Sequence, residues 1–188
     1  MRWSKLKKQV EALFDPSLKL TINCISYPVK NQWDTGSAIP RFYLKLKQDL
    51  LNIEKDIIWD FPKHFIEVKK ISYHQWSDDN GVSQLLREYI NTPIDELMTK
   101  KFEGDTLVLH SYENKNPMEP QEVKVELGLV DLLIASDRRL GKKRLYEWLK
   151  ENENPLIKLI LHYRFGYKIT EDDYLAILMS HDNLSETV

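Results

Sequence analysis

In the stretch "QEVKVELGLVDLLIASDRRL", residues 121–140, the spacing of the apolar residues changes from that of a strand to that of a helix. Its first part alternates, with Val123 and Val125 between polar residues, which predicts a strand. From Leu127 onward the apolar residues follow a helical pattern, which predicts helices over 127–140, 142–152, 155–165 and, behind Thr170, as far as residue 181. Asn154-Pro155 marks the start of the third of these helices and Gly166 marks its end. Because strands come early and helices come late, we expect an α+β fold and not an alternating βαβ fold.

Two further stretches upstream alternate and predict strands. They are "LKLTINCISY" at 18–27 and "RFYLKLKQDL" at 41–50, and we expect them to pair as an antiparallel hairpin. "DIIWDFP" at 56–62 predicts a third short strand, although residues 50–59 could instead form a helix. "DTLVLHSY" and "QEVKVEL" predict a second hairpin over 105–126.

Helical spacing appears at three places before residue 127. Apolar residues at 3, 6, 10, 13 and 14 predict a helix that ends at Asp15-Pro16, and residues 82–90 and 94–98 predict two short helices. We therefore expect a single domain over 1–188, with a mainly strand-containing part at 1–80 and helical parts at 82–103 and 127–181. The expected small antiparallel sheet combines the N-terminal half with the hairpin at 105–126.

The composition excludes several classes of protein. A formal net charge of -2 argues against a general nucleic-acid binder, and a hydrophobic content of 42% argues against a disordered chain. The lone Cys24 cannot form an intramolecular disulfide, so a reducing, cytoplasmic location is expected. Lysines interrupt the N-terminal apolar pattern, and "LVDLLIA" at 129–135 is too short to span a bilayer. We expect a soluble protein without a membrane partner.

Metal, cofactor and catalytic motifs are not recognisable in the sequence. The five histidines do not share the i, i+3 or i, i+4 spacing of helical metal ligands, and neither a phosphate-binding glycine loop nor a nucleophile elbow is present. We expect no metal, no cofactor and no local catalytic set. An active site assembled from distant segments, for example His74 with Asp78 and a group from the helical half, remains an open alternative.

A cluster of basic side chains surrounds Gly141 in "DRRLGKKRLYEW", residues 137–148. It contains Arg138, Arg139, Lys142, Lys143 and Arg144. A DNA-reading helix-turn-helix centred on Gly141 would need a small residue and two apolar residues where Asp137, Glu147 and Lys150 stand, so this geometry is disfavoured.

The same cluster predicts nearby negative charge. Cations near the N-terminus of a helix are unfavourable, and like charges four residues apart in a helix repel each other. We expect internal acidic partners, from Glu119, Glu122 and Glu126 or from the trio at 171–173, or simple solvation of the cations, in preference to an anionic partner molecule, which stays open as the alternative.

Four quoted stretches together resemble a family of small uncharacterised bacterial proteins. They are "MRWSKLKKQVE" at the start, "IWDFP" at 58–62, "REYINTPIDELMTKKFE" at 87–103 and "DRRLGKKRL" at 137–145. The resemblance implies a bacterial cytoplasmic origin but no activity, cofactor or catalytic residue. The family pattern is shorter between 103 and 129, which implies that the hairpin at 105–126 is an insertion.

Three functions remain open from the sequence. The leading hypothesis is a non-enzymatic module that binds another bacterial protein, as an immunity-type or accessory factor, with Trp33 and Trp76 as candidate interface anchors. These two side chains could equally cover the edge of the core. The second is binding of nucleic acid or another anion through residues 138–144. The third is the enzyme assembled from distant segments.

Overall fold

A computed structural model of the chain describes residues 2–28, 38–46, 57–60, 81–102, 105–111, 121–126, 128–152, 154–173 and 175–176. All of the described strands lie before residue 127, together with two helices, and three further helices follow it. The fold is therefore α+β, as predicted. The helices are α1 (Trp3–Glu11), α2 (Gly81–Asn91), α3 (Leu129–Ser136), α4 (Lys142–Leu149) and α5 (Pro155–Phe165). The strands are β1 (Leu20–Pro28), β2 (Ala38–Leu46), β3 (Ile57–Asp60), β4 (Thr106–Ser111) and β5 (Gln121–Glu126).

The first sheet has the order β1-β2-β3, and its strands are antiparallel. Leu20 lies opposite Leu46 and Ile22 lies opposite Leu44, and all four side chains are buried. Paired residues of neighbouring strands share a face, so these leucines and isoleucine form the core side of the sheet. The predicted third strand is confirmed at 57–60, whereas residues 50–56 lie outside the described part of the chain.

The predicted hairpin at 105–126 is confirmed, since β4 pairs with β5 from Thr106 opposite Glu126 to Ser111 opposite Gln121. Among the described strands it forms a sheet of its own and does not extend the first sheet. The antiparallel strands that were expected thus form two small sheets in the described part of the chain.

The core lies between the first sheet and the helices. Helix α3 is buried along its whole length except Asp131, since its remaining residues are apolar or, like Ser136, bonded within the helix. A helix that is apolar on every side packs at the centre of a domain. Helix α3 packs against α5, while α1 packs against α2 and β1.

The second short helix predicted at 94–98 is wrong, because residues 94–99 form turns. The amide of Glu96 donates to Pro93 O at 3.0 Å and that of Thr99 to Glu96 O at 3.1 Å, which is the i to i+3 pattern of tight turns. Lys100 N donates to Glu96 O at 2.9 Å, which closes a single i to i+4 turn that does not continue as a helix.

The ends of α5 agree with the sequence. The Asn154 side chain accepts a hydrogen bond from Leu156 N at 2.9 Å, Pro155 stands at the first helical position, and Gly166 ends the helix with φ 69°. Behind Thr170, where a helix was expected, the chain is helical at 171–173 and 175–176. Residues 177–181 lie outside the described part. None of the helices described combines the length and the apolar character needed to cross a membrane.

Candidate binding surface

The turn that follows α3 is tied to the segment that follows α1. Asp15 N donates to Ser136 O and Arg138 N donates to Leu13 O, both at 2.8 Å, and Phe14 and Asp137 form an antiparallel bridge. These bonds end α3 at Ser136, four residues before the end expected from the sequence. The basic cluster therefore begins in a turn and not in a continuous helix.

Asp137 is the buried centre of this turn, with 1% of its side chain exposed. Its carboxylate accepts hydrogen bonds from the hydroxyl of Tyr89 at 3.0 Å, from Arg139 N at 2.9 Å and from the Arg139 guanidinium at 2.7–3.1 Å. These side-chain bonds to Asp137 raise the pKa of Arg139. Burial, followed by the negative charge of Asp137, raises the pKa of Tyr89 well above its ordinary value. Arg139 and Asp137 therefore neutralise each other internally.

Arg164 fixes the same turn from the side of α5, and only 2% of its side chain is exposed. Its guanidinium donates to Ala135 O at 2.5 Å, to Leu140 O at 3.0 Å and to Asp15 Oδ2 at 3.1 Å. Burial lowers the pKa of Arg164, although Asp15 acts in the opposite direction. For Asp15, burial acts to raise the pKa, but hydrogen bonds from Ser17 and Arg164 prevail and lower it.

Four residues of the predicted cluster are exposed and form what we call the cationic surface: Arg138, Lys142, Lys143 and Arg144. Arg144 pairs with Asp95 at 3.2 Å, with side chains 45% and 83% exposed, so this pair adds little stability. Within the described part of the chain, Arg138 and Lys143 have no salt bridge and no side-chain hydrogen bond.

The internal acidic partners differ from those expected. Asp137 and Asp95 pair with the cluster, whereas Asp173 of the predicted trio pairs with Lys158 at 2.6 Å. Glu171 and Asp172 are exposed, Glu119 lies outside the described residues, and the side chains of Glu122 and Glu126 are not described. Asp173, one of the possible partners named from the sequence, does not pair with the cluster, because one of its carboxylate oxygens bonds Lys158 and the other accepts from Thr170.

A group of half-buried aromatic rings adjoins the cationic surface. The ring of Tyr146 meets Phe165 edge-on at 6.3 Å and Tyr167 at 5.3 Å. Lys142 Nζ lies 5.2 Å from the centre of the Tyr146 ring and 3.5 Å from Phe165 O. We call Tyr146, Phe165 and Tyr167 the aromatic cluster, and Lys142 joins it to the cationic surface.

Helix α4 itself is electrostatically unfavourable at its beginning. Gly141 precedes it without a side-chain cap, and its first turn has cations and no acidic residue. Leu145 and Leu149 are buried, whereas Glu147 and Lys150 are exposed. The helix packs through Leu145 and Leu149 and not through the positions that a helix-turn-helix would use, in agreement with the sequence analysis.

The other candidate residues do not form a site in the described part of the chain. Trp33, Trp76, His74 and Asp78 lie outside it. Cys24 is half-buried against the core, and burial raises the pKa of its thiol, which suits a packing role and not a nucleophile. No group of three potential metal ligands occurs among the described residues. An apolar cavity of about 20 Å³ between the first sheet and α5 has room for roughly one water molecule.

Comparisons with models of known protein families, with curated proteins and with solved structures gave no match to this chain. The resemblance to the family of small bacterial proteins therefore stays a prediction, as does the interpretation of the hairpin as an insertion.

The sequence analysis missed the buried part of the site. Asp137 was considered only as a residue unsuited to a helix-turn-helix and Asp15 only as part of a helix end, and neither Tyr89 nor Arg164 was considered as a site residue. One signal was available, because Asp137 directly follows the apolar run of α3 and stands two residues before Arg139. Tyr89 and Asp15 carry no comparable local signal, because the residues they bond to, Asp137 and Arg164, lie 48 and 149 positions away.

Proposed function

We propose that the protein is a non-enzymatic binding module that recognises another protein through the cationic surface. The observation that supports this most is the exposure of Arg138 and Lys143 without an acidic partner in the described part of the chain, beside a turn that Asp137 and Arg164 hold from within. A surface held in one conformation loses little entropy on binding. A cytoplasmic role as an accessory or immunity-type factor belongs to the same proposal.

The unfavourable beginning of α4 supports a binding role. Positive charge in the first turn of a helix costs about 0.3–1 kcal/mol per residue at an exposed site. Lys142, Lys143 and Arg144 stand there, and acidic residues are lacking in that turn. A sequence selected only for stability would have placed Asp or Glu at these positions. The cations are better explained by an anionic partner.

A protein partner suits the surface better than a nucleic acid. Glu147 is exposed one turn after Lys143, and the exposed Asp95 stands beside Arg144, so negative charges border the cations. A nucleic-acid backbone carries a phosphate at every nucleotide and would approach these carboxylates. A protein can present a short acidic segment that matches only the cations.

Photo-crosslinking tests the proposal. Lys143 is replaced by p-benzoylphenylalanine in the cells that make the protein, and crosslinked products are identified by mass spectrometry. The matched control places the same group at Lys8, an exposed lysine of α1. We expect a specific protein to crosslink from position 143 and not from position 8.

Two outcomes would contradict the proposal. Identical products from both positions would mean that residue 143 faces no particular partner. Crosslinking to nucleic acid, together with salt-dependent retention of the purified protein on DNA or RNA that is lost in Arg138→Ala/Lys143→Ala, would support the alternative function instead.

A further inference from the structure

We propose that the partner presents an acidic peptide segment whose carboxylates meet Arg138, Lys142 and Lys143 while an apolar side chain packs on the aromatic cluster. This inference rests on the proposed function and names the chemistry of the partner. The two features adjoin, since Lys142 contacts both the Tyr146 ring and Phe165 O.

The aromatic cluster suits the role of an anchor. Tyr146, Phe165 and Tyr167 are half-buried, so each ring is fixed by the core and by its edge-on neighbours while part of it remains accessible. Rigid aromatic rings bury much area for little loss of side-chain entropy, which is why they are frequent at interface hot spots.

The positively charged side chains beside the aromatic cluster favour a partner segment that carries carboxylates. Lys142 is already oriented by the Tyr146 ring, and Arg138 and Lys143 are exposed. Arg144 already pairs with Asp95. The uncompensated charge is therefore small and local, which matches a few carboxylates close together. An extended polyanion would pass beyond it to Glu147.

A second copy of the chain is a less suitable occupant. Helix α4 has eight residues and is therefore about 12 Å long. A stable dimer buries about 800 Å² on each partner, and a helix of this length offers only a fraction of that area. A peptide segment needs no more than the cationic surface and the aromatic cluster.

The test uses purified, ¹⁵N-labelled full-length protein and blocked synthetic peptides. The first peptide is glutamate-rich with one central phenylalanine, the second replaces each glutamate by glutamine, and the third replaces the phenylalanine by alanine. We expect the first to shift the amide resonances of residues 142–146 and 165–168, and the other two to bind at least about fivefold more weakly, as a few exposed ion pairs or one apolar anchor would give. Raising the salt from about 0.05 M to about 0.5 M should weaken the first peptide, because screening shortens the reach of exposed charges.

Protein variants identify the site of binding. Lys142→Gln/Lys143→Gln should weaken the first peptide at least about fivefold. The control Lys5→Gln/Lys8→Gln removes the same charge from α1 and should leave the affinity unchanged. Circular dichroism melting curves establish that both variants are folded.

Several results would overturn the inference. They are absence of shifts at 142–146 and 165–168, equal binding of the glutamine peptide, stronger binding of oligothymidylate of the same charge, and an α4-mediated dimer detected by sedimentation. A specific crosslink from position 143 to a partner segment that is not acidic would also overturn it, and in that case the proposed function would stand.

Discussion

The stretch 137–144 has a buried part, Asp137 with Arg139, and an exposed part, the cationic surface. Both parts consist of charged residues, but their roles differ. Asp137 and Arg139 form an ion pair at 2.7 Å that is completed by Tyr89, and the acid is 1% exposed. Arg144 and Asp95, 3.2 Å apart, are 45% and 83% exposed. The charged residues of one cluster therefore differ in role according to their burial. The buried ion pair stabilises the fold, whereas the exposed pair adds little to it.

The largest effect should come from the buried part. Asp137→Ala leaves Arg139 and the hydroxyl of Tyr89 without their acceptor, so we expect the free energy of unfolding to fall by about 3–5 kcal/mol, as for other broken buried ion pairs. Urea denaturation measures the change. Asp131→Ala, a half-exposed acid at the start of the same helix, is the control and should cost about 1 kcal/mol or less. Equal losses in the two variants would remove the distinction between buried and exposed charge.

A smaller loss isolates one bond of the buried part. Tyr89→Phe removes the hydroxyl that donates to Asp137 and keeps the ring, which lies 6.0 Å from that of Phe102. We expect a loss of about 1.5–3 kcal/mol, the usual contribution of a hydrogen bond to a charged group. The same urea titration on Tyr146→Phe should show a change below about 0.5 kcal/mol. If Tyr89→Phe left the free energy of unfolding unchanged, the hydrogen bonds from Arg139 alone would be sufficient for the carboxylate of Asp137.

The pair of Lys158 and Asp173 lies between the buried and the exposed pair, because its side chains are 23% and 12% exposed. The hydrogen bond from Lys158, opposed by burial and aided by Thr170, lowers the pKa of Asp173 below 3.8. Since the pKa is lowered in the folded state, the stabilisation is present above pH 3.8 and is lost as the pH falls through the folded-state pKa.

Asp173→Asn should therefore cost about 1 kcal/mol at neutral pH and nothing in acid. The unfolding free energies of the wild type and the variant should draw together as the pH falls below 3.8, since protonation of Asp173 then removes the charge that distinguishes it from asparagine. Asp172→Asn, which changes a neighbouring exposed acid, should follow the wild-type curve throughout. Parallel curves for wild type and Asp173→Asn would contradict this interpretation.

The smallest effect on stability should come from the exposed part. Arg138→Ala should change the free energy of unfolding by less than about 0.5 kcal/mol, because surface substitutions away from buried contacts rarely do more. Lys143→Ala should raise it by about 0.3–1 kcal/mol, because it removes a cation from the first turn of α4. Urea denaturation of the double variant checks this directly. A loss above about 2 kcal/mol would indicate that these cations hold the fold, and the proposed binding role would lose its main support.

The sequence predicted the elements better than their ends and contacts. Alternation placed β1, β2 and the hairpin at 105–126, and the Asn154-Pro155 and Gly166 signals placed both ends of α5. The end of α3 was missed because Leu13, Asp15 and Arg164 fix it from distant parts of the chain. A local pattern cannot report such contacts.

The cationic surface was predicted only in part for the same reason. The five basic residues were visible as a cluster, but only the tertiary structure shows that the half-buried Arg139 pairs with the buried Asp137 while the other four are exposed. The partner of Arg144, Asp95, lies 49 residues away in a segment predicted to be a helix and found to be turns. Which cations are neutralised thus follows from tertiary structure.

Charge reversal of the exposed part is the decisive test of its role in binding. The partner identified by crosslinking is titrated against Arg138→Glu/Lys143→Glu and against Lys5→Glu/Lys8→Glu, which carries the same change of charge on α1. We predict that the first variant loses the partner while the second binds as the wild type does, with both folded. Equal binding by the two variants would contradict the claim that the exposed part of 137–144 is the binding surface.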